Sequence, residues 1–108
     1  MHNYLGQFEE LVLLTVAMLG EDAYGVAIKD QLEAHTGNSA SIGALHAALD
    51  RMERKGFLVS TTGGTTAERG GRRKRYFSVT NLGKDALREA RTMRESLWEN
   101  LPPHFAID

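Results

Sequence analysis

The sequence predicts a mainly helical α+β domain. Three observations carry that expectation. Three short segments in the first half show apolar residues at helical spacing. A pair of β-branched and aromatic runs flanks a glycine-rich loop. A final apolar stripe steps by threes and fours from Leu82 to Leu101. The chain has 108 residues, the size of one domain, and 42% of them are hydrophobic. A domain this small hides only roughly 60–70% of its unfolded surface, so burial against a second copy would add to its stability.

The first helix is expected over Phe8–Leu19. Acidic Glu9 and Glu10 open it and Gly20 closes it. Leu11, Val12, Leu14, Val16, Met18 and Leu19 cover almost its whole circumference, so it should be buried on more than one side. A second helix opens at Asp22 or Ala23 and runs to about Thr36, with Tyr24, Ala27, Ile28 and Leu32 on one face and Gly37 as its stop. Ser39 or Ser41 can cap a third helix from about Ser41 to Lys55. There Ile42, Leu45, Leu49 and Met52 form a single inward stripe. Gly43, Ala44, His46 and Ala47 leave the first two outer turns small, which suits close approach to another surface. Gly56 ends that helix.

Phe57–Thr62 reads as a strand, 63–71 as a loop tip and Arg73–Val79 as the returning strand. A lone hairpin is marginal in water, so it must pack on the helices. Thr80 can cap a last helix from about Asn81 to Asn100, which Pro102 and Pro103 terminate. Leu82, Ala86, Ala90, Met93, Leu97 and Leu101 make its main stripe; Leu87 and Trp98 lie beside it with Arg91 and Arg94.

Charge is distributed unevenly. Residues 68–75 carry a net +4, so the rest of a chain with formal net charge −1 carries −5. A basic cluster on one loop suits closely spaced negative charge, as on duplex nucleic acid. The overall charge argues against a protein that coats DNA generally, and not against a local DNA contact. With no cysteine, disulfides and thiolate zinc sites are excluded. The histidines His2, His35, His46 and His104 show no ligand spacing, and Gly70-Gly71 are not followed by the lysine and hydroxyl of a phosphate loop. No enzyme activity, cofactor or metal is expected. No apolar run reaches the ~20 residues of a membrane span, and no basic-then-apolar leader opens the chain. A cytoplasmic location is the expectation.

The order helix, helix, helix, strand, basic loop, strand, long helix is that of a winged helix-turn-helix. Four segments resemble the PadR-like family of transcriptional regulators: 23–28 at the second helix, 41–53 at the third, 55–58 at its exit, and 71–83 across the wing, return strand and start of the last helix. The resemblance spans roughly residues 8–100 and points to the short subfamily. It departs in the third helix, where Ala44, His46 and Ala47 stand for the family's usual threonine, tyrosine and proline. Those changes bear on which DNA sequence is read.

The resemblance implies a homodimeric, double-stranded-DNA-binding regulator, more often a repressor. Residues 1–80 would form the DNA-binding domain, 81–101 the dimerisation helix and 102–108 a flexible tail. Ser41, Ala44 and His46 would approach base edges, with Ser41 also a cap. Tyr24 would reach a phosphate. Arg72, Arg73, Lys74 and Arg75 would follow the backbone or minor groove, with Arg72 and Lys74 sharing one side. Arg51 fits a structural ion pair with Asp50 or Glu53. Trp98, with Leu97 and Met93, would line the dimer interface and could stack on a small aromatic effector. A winged-helix module that contacts protein instead of DNA is the alternative, and a regulator of MarR type fits the short lead and single last helix less well.

Overall fold

The computed structural model describes residues 5–65 and 73–105. Four helices and one hairpin follow in order: α1 (Gln7–Leu19), α2 (Gly25–Thr36), α3 (Ile42–Arg54), β1 (Leu58–Thr65), β2 (Arg73–Val79) and α4 (Asn81–Glu99). This is the winged helix architecture. Of the loop tip expected at 63–71, residues 66–71 lie outside the described residues, as does Arg72.

Local chemistry sets most boundaries. The Ser41 hydroxyl accepts the Ala44 N–H at 3.0 Å and starts α3. Gly37, at φ 74°, closes α2 in the left-handed conformation that glycine adopts without strain. Thr80 works in two directions: its Oγ1 accepts the Gly83 N–H at 3.0 Å, capping α4, and donates to the Gly56 carbonyl at 2.6 Å. One side chain thus ties the start of α4 to the turn between α3 and β1.

Three expectations need correction. α2 begins later than Asp22 or Ala23, because a 3-10 turn occupies Gly20–Asp22 and Tyr24 is extended (φ −121°, ψ 166°). The Phe77 N–H is donated to the Ala23 carbonyl at 2.9 Å, and Tyr24 forms a bridge to Tyr76, so this segment acts as a short third strand beside β2. Pairing with the sheet outcompetes one more turn of helix. Next, β1 continues past Thr62 to Thr65. The partners change from Thr62↔Arg75 to Thr65↔Arg73, a bulge with one extra residue on β1, at a pair of glycines. Last, Ile42 is 46% exposed and not part of the inward stripe, since the first residue of α3 projects beyond the core.

The core gathers Val12, Leu13 and Val16 of α1, Ile28 and Leu32 of α2, Leu45, Leu49 and Met52 of α3, and Phe57, Leu58 and Phe77 of the hairpin. Each fully buried side chain of this kind stabilises the fold by about 1.5–3 kcal/mol. α4 joins it chiefly through Gly83 and Ala86. A Cβ on Gly83 would stand 2.3 Å from the Phe57 carbonyl oxygen and 2.8 Å from Val79 Cγ1, so the missing side chain is what lets α4 seat on the hairpin. Arg94 of α4 pairs with Glu10 near the start of α1, while Lys84 lies near Val16 and Ala17 at its end, so the two helices run antiparallel. Beyond Ala90, every residue of α4 is exposed. Among the described residues no helix is long and apolar enough to cross a membrane.

Candidate nucleic-acid interface

The outer face of the first turns of α3 is bare. Ser41, Ile42, Gly43, Ala44, His46 and Ala47 are all exposed, and a Cβ on Gly43 would meet open space. The opposite face carries Leu45, Ala48 and Leu49 into the core, so the helix is held rigidly while its small-residue side is free. The His46 ring lies against the start of α2: a Cβ on Gly25 would be 3.6 Å from its Cε1. His46 therefore joins the N-terminal ends of both helices.

Beside Gly25, the Tyr24 ring is gripped from two directions. Lys74 Nζ stands 4.1 Å from its centroid, over its face, and Tyr76 approaches edge-on at 5.6 Å with the planes at 66°. A cation over a tyrosine face and an edge-to-face pair are both favoured by the ring's quadrupole. Tyr76 in turn lies over Gly63 of β1, where a Cβ would be 2.3 Å from its ring. The predicted residues Tyr24, Ser41, Ala44, His46 and Lys74 thus belong to α3, the entry to α2 and the root of the hairpin. Arg73 lies at the start of β2, and Arg72 lies outside the described residues.

Arg75 is placed differently from its neighbour Lys74. Its Nη1 donates to Asp50 Oδ1 at 3.3 Å, its Nε to Ser60 Oγ at 3.1 Å, and its Nη2 to Glu53 Oε1. Ser60 Oγ donates onward to Glu53 Oε2 at 2.7 Å, and the guanidinium lies 4.9 Å over the Phe77 ring. Sequence reasoning missed this cluster. The available signal was a pair of carboxylates, Asp50 and Glu53, one turn apart on the outer side of a helix next to a basic wing.

Arg51 pairs with neither of the acids expected for it. Its Nε donates to Glu9 Oε2 at 3.1 Å, and Lys55 Nζ reaches both oxygens of the same carboxylate at 3.1 and 3.2 Å. Burial pushes the Glu9 carboxyl up, but hydrogen bonds from the Gly6 N–H, Lys55 and Arg51 outweigh it and hold it below its ordinary 4.5. α3 is thereby fastened to α1 behind its exposed face. On α4, Met93, Leu97 and Trp98 are 54%, 69% and 58% exposed; on α1, Leu11, Leu14 and Met18 are also open.

Comparison with known proteins agrees with this geometry. The model of the transcriptional regulator PadR-like family matches residues 13–89. A PadR family transcriptional regulator from Eggerthella lenta aligns at 26% identity and TM-score 0.72, with 87% of this chain and 77% of that one covered. The complex hsRosR-S4 aligns at 27% identity and TM-score 0.70, covering 93% and 79%. A PadR-like transcription factor from Bacteroides fragilis gives TM-score 0.75 over 87% and 85% of the chains, and at 21% identity it speaks to the fold alone. No curated protein matches at significance. With more than half its length matched and α3, the β1–β2 hairpin and the long last helix in the order expected, the chain belongs to the transcriptional regulator PadR-like family.

Proposed function

We propose that this regulator binds palindromic operator DNA as a homodimer and represses transcription from it, acting in the cytoplasm. The observation that carries the reading is the bare, small-residue face of α3 next to the Lys74–Tyr24 pair. A recognition helix enters the major groove by its N-terminal half. In that pose Ser41 and His46 would face base edges and Ala44 a thymine methyl group. Tyr24, Arg72, Arg73 and Lys74 would contact phosphates, which position the protein without carrying sequence information.

The exposed half of α4 supports a dimer. Met93, Leu97 and Trp98 are costly to leave in water, and α1 offers Leu11, Leu14 and Met18 as a further apolar surface. Two such units would address half-sites about 34–36 Å apart, one DNA turn. A small aromatic effector stacked on Trp98 between the two copies would release DNA only if it favoured one dimer geometry over another.

Fluorescence anisotropy on a labelled duplex from upstream of the protein's own gene, across a salt series, tests this reading. Tight binding that falls steeply with salt, and weakens in the Arg72→Ala/Lys74→Ala variant, is the expected outcome. Binding no stronger than to random duplex, there and across a pool of genomic fragments, would favour a winged-helix module that contacts protein.

A further inference from the structure

The basic run of the wing is not functionally uniform. Lys74 and Arg75 are adjacent, yet of the two only Arg75 pairs with carboxylates, its side chain remaining 45% exposed. Three side chains from two other elements meet it: Asp50 and Glu53 of α3 and Ser60 of β1. Phe77 supports the guanidinium from below. An isolated exposed ion pair contributes little. Here a planar fork satisfies several acceptors at once, a geometry that lysine's single ammonium cannot reproduce. Two carboxylates against one guanidinium also leave the cluster at net −1, so it offers a phosphate no attraction.

Resting on the DNA-binding reading, we propose that Arg75 is a positioning residue, not a phosphate contact. It sets the wing's angle against the recognition helix, and it masks Asp50 and Glu53 from the DNA backbone. The clamp sits on the outer turns of α3 that follow the bare reading face, so any tilt of the hairpin moves Lys74 and the wing relative to that face.

The test compares Arg75→Lys, Arg75→Gln, Lys74→Ala and Asp50→Asn/Glu53→Gln with the parent protein. In the free protein, hydrogen–deuterium exchange of β2 should rise in Arg75→Lys as in Arg75→Gln, while α1 and α2 keep their protection. Unchanged exchange in β2 overturns the proposal whether or not the protein binds DNA. On duplex DNA, Arg75→Lys should weaken binding about five- to tenfold at every salt concentration, as expected for a coupled network. Its log–log salt slope should stay at the parent value, whereas Lys74→Ala should flatten the slope by ~1. A direct phosphate contact predicts the reverse: Arg75→Lys would bind normally and Arg75→Gln would flatten the slope. Asp50→Asn/Glu53→Gln keeps every cation and removes two negative charges. It should nonetheless bind several-fold more weakly, because the wing is released; tighter binding would overturn the proposal. A parent protein that fails to bind duplex at all defeats the DNA-binding reading and leaves the exchange result to decide the clamp.

Discussion

Glu9 of α1 and Arg51 of α3 meet as an ion pair at 3.1 Å in which the carboxylate side chain is 8% exposed and the guanidinium side chain 45%. The asymmetry decides which partner matters. Glu9 is buried and accepts from Lys55 and the Gly6 N–H as well as from Arg51, so its removal breaks three contacts at one carboxylate. Glu9→Gln should destabilise the protein by about 1–3 kcal/mol in urea unfolding. Arg51→Gln should cost less, since Lys55 still faces the carboxylate and Arg51 is well solvated.

The same pair gives a pH dependence. The folded Glu9 carboxyl lies below its ordinary 4.5, so its contribution is complete above that value and is lost as pH falls through the folded one. Stability of the parent protein should decline on acidification below about pH 4.5 more steeply than that of Glu9→Gln. Parallel curves for the two proteins would remove Glu9 as the cause.

Gly83→Ala opposes two effects. Alanine favours a helix over glycine by roughly 1 kcal/mol. The new methyl, however, would stand 2.3 Å from the Phe57 carbonyl oxygen, a backbone atom that cannot swing aside. Overpacking of this kind costs about 1–3 kcal/mol, so net destabilisation is expected. A rise in melting temperature would mean that α4 moves off the hairpin without penalty.

Gly63→Ala should disturb the wing root. Its methyl would collide with the Tyr76 ring, which holds Tyr24 edge-on. We expect a loss of about 1–2 kcal/mol. The loss should shrink in a Tyr76→Leu background, where the flat ring is gone. Equal losses in both backgrounds, from a double-mutant cycle, would separate Gly63 from Tyr76.

Leu97→Glu should convert the proposed dimer to monomer. The change places a charge on the bare apolar stretch of α4 without touching the core of the single chain. Sedimentation should show half the parent mass, with unfolding of the monomer still cooperative. Trp98 emission should shift to the red as its ring returns to water. A parent protein that already sediments as a monomer would refute the assignment of α4 to dimerisation.

Sequence by itself determined the element order, the cap at Thr80, a serine cap for α3 at Ser39 or Ser41, the glycine stops and the inward stripe Leu45–Leu49–Met52, because capping, left-handed glycines and apolar periodicity are local properties. It also marked the bare face around Gly43 and Ala44, since absence of bulk is visible residue by residue. Tertiary structure alone decided the rest. Tyr24 left the helix pattern to pair with β2, because sheet hydrogen bonds from a distant segment outcompeted one helical turn. Arg51 chose Glu9 over its neighbours Asp50 and Glu53, and those acids went to Arg75. Charges separated by tens of residues choose partners by where packing brings them, which spacing along the chain does not encode.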